Sequence, residues 1–316
     1  MSTLNHPSIV EGAGVASWPR ITVVTPSFNQ APYLEQTLKS VLDQDYPNLE
    51  YFVFDAGSKD GSAEIIHRYA DRLAYHEIAP DRGQSDAIEK GWRRATGEIL
   101  CWLNSDDYFL PGALQTAAQA FRTDPQLVML CGTIAIVDGQ GRTLRHKRPP
   151  ALTTERLLPW GGVPGQAAVF LHRRVFDEIG GPRVDLHYVL DWELWLRVLL
   201  TYGPDRVRGT HEVLAGAREW AQAKTETAAG RDAAEARRVL TELFGNGRLP
   251  ARLRGLERHA FARTWWRQSE SEAAAGLQRR AWESLKCAAR FAPREFSVTK
   301  YCRQIWRILL AGKNQP

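Results

Sequence analysis

Two adjacent carboxylates end an apolar run in the first half of the chain. Residues 101–107 read CWLNSDD, so Asp106 and Asp107 follow a run that predicts a buried strand. Neighbouring like charges repel, and a divalent cation held by oxygen ligands offsets this repulsion and brings bound phosphates with it. A polar turn with solvated aspartates is the alternative for an isolated Asp-Asp pair, so the other motifs of the chain must decide.

Two further loops with polar and small residues also follow predicted strands. Residues 25–29 read TPSFN, and residues 55–61 read DAGSKDG. Glycine after a strand lets the backbone turn tightly or approach a ligand closely. The carboxylate of Asp55 is suited to accept an N–H of a nucleotide base. Read alone, the second loop also fits a strand-to-helix turn in which Ser58 or Asp60 caps the helix.

Strand and helix patterns alternate around these loops. The predicted strands cover residues 21–25, 51–54, 99–103, 128–131 and 169–171, and the predicted helices cover 33–42, 62–73, 85–95, a segment opened by Pro111, and 190–202. This alternation predicts an α/β protein with a mainly parallel sheet covered on both faces. Neither a G-x-G-x-x-G after the first strand nor a P-loop is present, which disfavours a dinucleotide-binding oxidoreductase.

Composition excludes several other classes. With 316 residues, of which 44% are hydrophobic and 24% charged, the chain can bury a large core. Its longest apolar run, residues 127–137, is shorter than the roughly 18 residues that span a bilayer, and we expect no secretory signal. The four cysteines show no C-x-x-C spacing, so neither a disulfide framework nor a zinc site is expected, which fits a reducing cytoplasm.

The basic charge is concentrated at the C-terminal end. Residues 247–316 hold 15 Lys and Arg against 5 Asp and Glu, whereas the rest of the chain holds 26 against 31. Basic amphipathic helices with tryptophan suit an anionic membrane surface. Packing of the apolar residues on the rest of the protein, with solvated arginines, is the other interpretation, and the apolar bulk favours it. No recognition motif accompanies the charge, so no nucleic-acid partner is expected.

Five motifs together resemble the family 2 glycosyltransferases, which are inverting nucleotide-sugar enzymes of the GT-A fold. In chain order they are TPSFN at 25–29, DAGSKDG at 55–61, DRGQSDA at 81–87, GEILCWLNSDD at 97–107 and DWELWLR at 191–197. Their order and spacing are comparable to those of the family over roughly residues 20–225. The resemblance implies a GT-A-type sheet flanked by helices, followed here by a C-terminal helical appendage.

The resemblance also implies a donor site for a nucleoside-diphosphate sugar, with a UDP-type donor favoured. The implied donor-binding residues are Pro26, Ser27, Asn29, Asp55, Gly57, Ser58, Asp81, Arg82, Ser105 and Asp106. Asp106 and Asp107 match the acidic metal motif of the family and would hold Mg²⁺ or Mn²⁺, which neutralises charge on the departing diphosphate. The first position of that motif is Asn104 instead of aspartate, which leaves one anionic ligand fewer.

Asp191 is the catalytic base that the resemblance implies. Inversion needs a carboxylate opposite the diphosphate to take a proton from the incoming hydroxyl. The usual Glu-Asp pair of the family is Leu190-Asp191 here, so the second position is kept. An N-cap role for Asp191 is the alternative. On the acceptor side, Gln166 is expected to face the substrate and Trp192 to stack on a sugar.

The downstream positions depart further from the family. Arg218 and Trp220 fall where the family often has Arg-x-His, and Lys224 falls in its Lys-Ser or Lys-Thr pair. Trp220 in place of histidine weakens the case for a metal or phosphate ligand at that position. Arg218 and Lys224 remain candidates to contact the diphosphate.

Together these expectations describe a metal-dependent inverting glycosyltransferase. It would transfer a sugar to a hydroxyl of a glycan or lipid-linked acceptor in polysaccharide or cell-surface glycan synthesis, in the cytoplasm or peripherally on the inner face of the membrane. We expect a flexible leader at 1–19, a catalytic domain at 20–245 and a basic helical extension at 246–316. The departures at Asn104 and Leu190 support an alternative, a catalytically inactive nucleotide-sugar-binding scaffold. A nucleotidyltransferase is disfavoured because no glycine-rich triphosphate loop follows the first strand.

Overall fold

The computed structural model describes residues 18–220, 230–294 and 296–311. Its strands are β1 (Ile21–Ser27), β2 (Leu49–Asp55), β3 (Tyr75–Ile78), β4 (Ile99–Trp102), β5 (Tyr108–Phe109), β6 (Met129–Val137), β7 (Thr143–Lys147), β8 (Val169–His172) and β9 (Val207–Arg218). Its helices are α1 (Ala31–Leu42), α2 (Ser62–Arg68), α3 (Gln84–Arg94), α4 (Ala113–Thr123), α5 (Thr154–Leu157), α6 (Arg173–Ile179), α7 (Leu190–Tyr202), α8 (Arg231–Gly245), α9 (Ala251–Arg254), α10 (Glu257–Ala274), α11 (Gln278–Phe291) and α12 (Val298–Ala311). Short 3₁₀ turns cover Ala70–Arg72, Gln166–Ala168 and Pro204–Arg206.

The nine strands of the described residues all belong to one mixed sheet. Its order is β3-β2-β1-β4-β8-β6-β9-β5, and β7 pairs with β6. The first four strands in that order run parallel, β8 runs against β4 and β6, and β9 is parallel to β6. The carboxyl ends of β1, β2, β3, β4 and β9 therefore meet at one edge, where open α/β sheets place their ligands. The predicted α/β fold class is confirmed.

The alternating first half was predictable, whereas several later elements carry no sequence signal. Helix α7 covers the predicted residues, and strand β6 continues to Val137, beyond the predicted 128–131. Strands β3, β5, β7 and β9 and helix α8 were not predicted. All five residues of β7 are exposed, and most residues in the first half of β9 are also exposed or half-buried, so neither segment shows a hydrophobic alternation.

Helices pack on both faces of the sheet. On one face the rings of Trp92, Trp102 and Trp195 form a chain, with centroids 5.6 and 5.4 Å apart, that joins α3, β4 and α7. On the other face Leu34 and Leu38 of α1 belong to a second core cluster. Helix α7 is buried on most of its circumference, and its apolar residues share one core cluster with residues of β4 and α8. This burial fixes the first turn of α7, which carries Asp191.

The C-terminal helices share part of the sheet's core. Leu249, Leu253 and Ala260 belong to the same hydrophobic cluster as Trp195, so this cluster runs across the predicted boundary at residue 245. A separate cluster around Trp266 holds α10, α11 and α12 together. Among the described residues, no helix combines the length and the apolarity needed to cross a bilayer.

A carboxylate on α8 holds the loop that precedes α7. Glu235 Oε1 accepts the backbone N–H of His187 at 2.7 Å, and Oε2 accepts those of Tyr188 and Val189 at 2.6 and 2.9 Å. These donors belong to the N-cap of α7 and to the two residues before it, whose N–H groups have no partner within the helix. Helix α8 thereby sets the position at which α7 begins.

We expect Glu235→Gln to lower the free energy of unfolding by about 2–3 kcal/mol, because an amide replaces one of the two accepting oxygens with a donor. Urea denaturation with linear extrapolation measures the change. Glu242→Gln is the matched control, since Glu242 lies on the same helix in an exposed ion pair with Arg183. That substitution should cost less than about 1 kcal/mol. Equal losses in the two variants would contradict the assigned role of Glu235.

Candidate active site

The loops after β1 and β2 are joined by side-chain hydrogen bonds. The backbone N–H of Asn29 donates to Ser58 Oγ at 2.7 Å, and Asn29 Oδ1 accepts the N–H of Lys59 at 3.1 Å. Asp60 Oδ2 accepts the N–H of Ala31 at 2.9 Å. Asn29 adopts a left-handed φ of 52°, a conformation that asparagine tolerates better than most residues. These hydrogen bonds therefore join the two loops into one wall of the site.

Asp55 shapes its own loop. Its Oδ1 accepts the N–H groups of Gly57 and Ser58 at 3.1 and 2.7 Å, and its Oδ2 accepts the hydroxyl of Ser58 at 2.7 Å. A carboxylate oxygen can accept more than one hydrogen bond, so Oδ2 keeps the capacity to bind a ligand N–H. Ser27 pairs in register with Asp55, and its buried Oγ has no partner among the described residues. Pro26 directly precedes Ser27 in β1.

The third loop leads from β3 into α3. Asp81 Oδ1 accepts the N–H of Gly83 at 2.7 Å, and burial raises the pKa of Asp81. Arg82 lies with its guanidinium against Asp86, with Nε and Nη2 at 3.0 and 2.6 Å from Oδ1. Gln84 Nε2 donates to Asn104 Oδ1 at 2.6 Å and so connects this loop to the residues after β4.

The acid turn, residues 104–107, follows β4 at the centre of the sheet edge. Asp106 Oδ2 accepts the indole N–H of Trp220 at 3.1 Å, and Asp107 Oδ1 accepts the backbone N–H of Arg218 at 3.0 Å. The hydroxyl of Thr37 lies 3.0 and 2.6 Å from the carbonyl oxygens of Ser105 and Asp107. These contacts hold two carboxylates side by side in a largely buried position.

Burial controls the charge of the acid turn. Burial raises the pKa of Asp106, and burial together with the neighbouring charge of Asp106 raises the pKa of Asp107 well above its usual value. A bound cation would reverse both effects, because it favours the ionised form of each carboxylate.

Arg218, at the end of β9, faces the same region. Its Nη2 donates to Gln36 Oε1, and its guanidinium carbon lies 4.7 Å from the ring centroid of Tyr33 and 5.2 Å from that of Tyr108. Its Nε and Nη1 are buried and have no hydrogen-bond acceptor within the described part of the chain. A buried guanidinium with unpaired N–H donors can form hydrogen bonds to a phosphate oxygen. The other diphosphate candidate, Lys224, lies outside the described residues.

The acid turn fits a hard divalent cation. Among the described residues, no group of three or more His, Cys, Asp or Glu side chains is arranged to hold a metal, so protein ligands would come from Asp106 and Asp107. Mg²⁺ is commonly held by one or two carboxylates, with substrate phosphates and water completing its coordination. The two carboxylates and their pKa values therefore suit Mg²⁺ or Mn²⁺ bound together with a diphosphate.

Asp191 occupies the first turn of α7. Val189 holds the N-cap position, so the alternative N-cap role for Asp191 is wrong. Asp191 Oδ1 accepts the N–H of Trp192 at 2.7 Å. Burial raises the pKa of Asp191, while the charges of Lys147 and Arg267 lower it. A helix N-terminus also favours negative charge. The side chain therefore has the properties of a base in a partly desolvated site.

Lys147 and Arg267 were missed by the sequence analysis. Lys147 is the last residue of the unpredicted strand β7, and its positive charge lowers the pKa of Asp191. Arg267 comes from α10, more than seventy residues after Asp191 in the chain. No local pattern connects either cation to the carboxylate, because only the tertiary fold brings them near it.

The two residues expected on the acceptor side differ in their environments. Gln166 Nε2 donates to the carbonyl of Trp102 at 2.7 Å, and its buried Oε1 has no partner among the described residues. Trp192 is only 1% exposed, and its indole N–H donates to the carbonyl of Leu157 at 2.8 Å. A ring enclosed in this way packs in the core, so the expected stacking of Trp192 on a sugar is corrected to a structural role.

Comparison with solved structures supports the fold. The mannosyltransferase PcManGT from Pyrobaculum calidifontis, solved with GDP-Man and Mn²⁺, is 21% identical with a TM-score of 0.60, and the match covers 94% of this chain and 86% of that one. TarS residues 1–349 from S. aureus, solved with UDP-GlcNAc, is 16% identical with a TM-score of 0.59, covering 92% and 81%. At these identities the similarity establishes a shared GT-A fold.

Sequence comparison reaches relatives of different lengths. An uncharacterized glycosyltransferase of Rickettsia felis is 27% identical over 57% of this chain, and the match spans 31% of that protein's length. An uncharacterized protein of Mycobacterium tuberculosis is 29% identical over 88% of this chain and 92% of its own length. The sequence model of the protein family described as glycosyl transferase family 2 matches residues 22–180, half of the chain. This region contains four of the five motifs. The chain belongs to glycosyl transferase family 2.

Proposed function

We propose that the protein is a metal-dependent inverting glycosyltransferase that moves a sugar from a nucleoside-diphosphate donor to a hydroxyl of a glycan or lipid-linked acceptor, in polysaccharide or cell-surface glycan synthesis. One observation carries the proposal. The acid turn sets Asp106 and Asp107 side by side, largely buried, beside Arg218, which has buried N–H donors without an acceptor among the described residues. A divalent cation would offset the repulsion between the two carboxylates, and a phosphate oxygen would accept hydrogen bonds from Arg218.

The loops after β1, β2 and β3 suit the nucleotide end of the donor. Ser27 Oγ can accept or donate a hydrogen bond and Asp55 Oδ2 can accept one, both at the sheet edge that carries the acid turn. A UDP-type donor is favoured in this proposal. TarS, a protein of similar fold, was solved with UDP-GlcNAc, which supports this preference. The neighbouring mannosyltransferase holds GDP-Man, so guanine nucleotides are the comparison to test.

Asp191 serves as the base in this proposal. Its Oδ2 takes the proton of the acceptor hydroxyl, while Oδ1 stays bonded to the N–H of Trp192 and fixes the carboxylate's orientation. Asp106 and Asp107 would hold Mg²⁺ or Mn²⁺, which stabilises negative charge on the leaving diphosphate. Arg218 donates to the same diphosphate and keeps it in place.

The proposed location is the cytoplasm, with peripheral contact to the inner face of the membrane. Helix α12 exposes Trp306, Leu309 and Leu310 to solvent, and Arg303 and Arg307 are exposed on the same helix. Exposed apolar side chains flanked by cations suit a surface of anionic lipids, where a lipid-linked acceptor would be found.

A thermal-shift panel tests the donor site first. With Mn²⁺ present, one of UDP, GDP or their sugars should raise the melting temperature of the wild type by a few degrees, because ligands that bind the native state stabilise it. Asp107→Asn should abolish the metal-dependent part of this shift. Asp205→Asn is the control, since Asp205 is exposed in the turn that precedes β9, at the other edge of the sheet. A response equally strong without metal, or in Asp107→Asn, would contradict the metal role.

Asp191→Asn should reduce donor turnover by at least about 100-fold, because the amide cannot accept the proton. The release of nucleoside diphosphate from the donor, with water as acceptor, measures this rate. The nucleotide-dependent thermal shift of the variant should stay unchanged, and Asp177→Asn on the exposed face of α6 provides the control. An unchanged rate would remove Asp191 from the mechanism. Nucleotide binding without any hydrolysis by the wild type would favour the scaffold alternative.

The pH profile should depend on Lys147. A base acts when it is deprotonated, so kcat/KM falls as the pH drops through the pKa of Asp191, which burial raises. Lys147 lowers that pKa, and Lys147→Gln should therefore move the acid limb of the profile to higher pH. Arg142→Gln removes a charge from the turn before β7, where Arg142 pairs with Asp138, and should leave the profile in place. Identical profiles for wild type and Lys147→Gln would argue against the coupling.

A further inference from the structure

A cationic groove lies between the C-terminal helices α10 and α12. It has a volume of about 260 Å³, close to the lower end of the roughly 300–1,000 Å³ that ligand pockets occupy. We call it the basic groove and define it by its lining residues, Arg263, Trp266, Arg267, Glu270, Phe296, Lys300, Arg303, Gln304 and Arg307. Five of these residues are cations and one is an acid.

The charges of the basic groove are not balanced within the described residues. Glu270 is paired with Arg307 at 3.1 Å, and Arg267 lies 3.9 Å from Asp232. Arg263, Lys300 and Arg303 have no carboxylate within 4 Å in the described part of the chain. Like charges that converge on one groove repel, and an anionic ligand offsets this repulsion.

The inner wall of the basic groove can recognise more than charge. The rings of Trp266 and Phe296 stack with centroids 4.1 Å apart. Gln304 is 1% exposed, its Nε2 donates to Ser269 Oγ at 3.0 Å, and its Oε1 has no donor among the described residues. A free carbonyl oxygen beside cations suits a ligand that carries hydroxyl groups as well as phosphate.

The basic groove reaches towards Asp191. The guanidinium of Arg267 lies 4.2 Å from the ring centroid of Trp160, and its positive charge acts on Asp191. Arg263 Nη2 lies 3.7 Å from the position that a Cβ would take at Gly161, in the loop that leads to Gln166. An acceptor held in the groove would therefore extend along this loop to the proposed base.

We propose that the basic groove binds a phosphate group of the acceptor, so that the substrate is a phosphate-bearing glycan whose sugar hydroxyl is directed to Asp191. This inference rests on the proposed function, because it names the acceptor class of the same site. Arg263, Lys300 and Arg303 donate to the phosphate oxygens, and Gln304 Oε1 accepts a hydroxyl of the attached sugar.

Inorganic tripolyphosphate is the probe, measured by titration calorimetry in EDTA. Arg218 of the donor site can also bind phosphate, so the difference between the two double variants below, and not binding alone, reports on the basic groove. The test variant is Lys300→Gln with Arg303→Gln, two exposed positions on α12, and the control is Arg279→Gln with Arg290→Gln, two exposed positions on α11. Both variants lose the same charge. We expect the wild type and the control to bind alike and the test variant to bind about tenfold more weakly or worse.

Three outcomes would overturn the proposal: no binding by the wild type, equal weakening in both double variants, or a test variant that binds tripolyphosphate normally but no longer binds phosphatidylglycerol vesicles. The last result would assign Lys300 and Arg303 to the proposed membrane contact and not to an acceptor phosphate. The UDP and Mn²⁺ thermal shift is measured on the same variants and should be unchanged. Failure of that shift in the wild type speaks against the proposed function, whereas failure of tripolyphosphate binding alone speaks only against the groove.

Discussion

Two neighbouring carboxylates kept largely away from water are the constraint on which the site depends. The fold places Asp106 and Asp107 at the end of the central strand β4 and raises the pKa of each. The hydroxyl of Thr37 donates to a backbone carbonyl of the acid turn. The indole N–H of Trp220 donates to the carboxylate of Asp106, and the backbone N–H of Arg218 donates to that of Asp107. A cation is still needed to keep both ionised. The requirement comes from burial, which an Asp-Asp pair on a surface would not impose.

Much of this arrangement could be predicted because the information is local. A β-branched or apolar strand followed by polar and small residues identifies a sheet edge, and the loops at 25–29, 55–61 and 104–107 do meet at one edge. The family resemblance adds the expected roles of the residues in these loops. The mixed α/β fold and the family membership confirm the part of the resemblance that concerns fold and family. The position of Asp191 in the first turn of α7 follows from the same helix pattern.

What could not be predicted depends on contacts between distant segments. Lys147 belongs to a strand with no hydrophobic alternation, so neither the strand nor its proximity to Asp191 is visible in the sequence. The apolar neighbours of Trp195 already indicate core packing in the sequence, whereas only the fold shows that the ring of Trp192 is enclosed as well. Trp220 departs from the family's histidine, yet its indole N–H donates to Asp106, more than one hundred residues earlier in the chain.

The carboxylate of Glu235 limits where the chain can be truncated without disturbing the proposed active site. It binds three successive N–H groups directly before α7, and its own helix, α8, shares a core with α9 and the beginning of α10. The loop that leads to Asp191 is thus supported by residues that follow the last strand of the sheet. Cutting the chain after β9 would therefore act as a mutation of the proposed active site, even though all five motifs at 25–29, 55–61, 81–87, 97–107 and 191–197 would still be present.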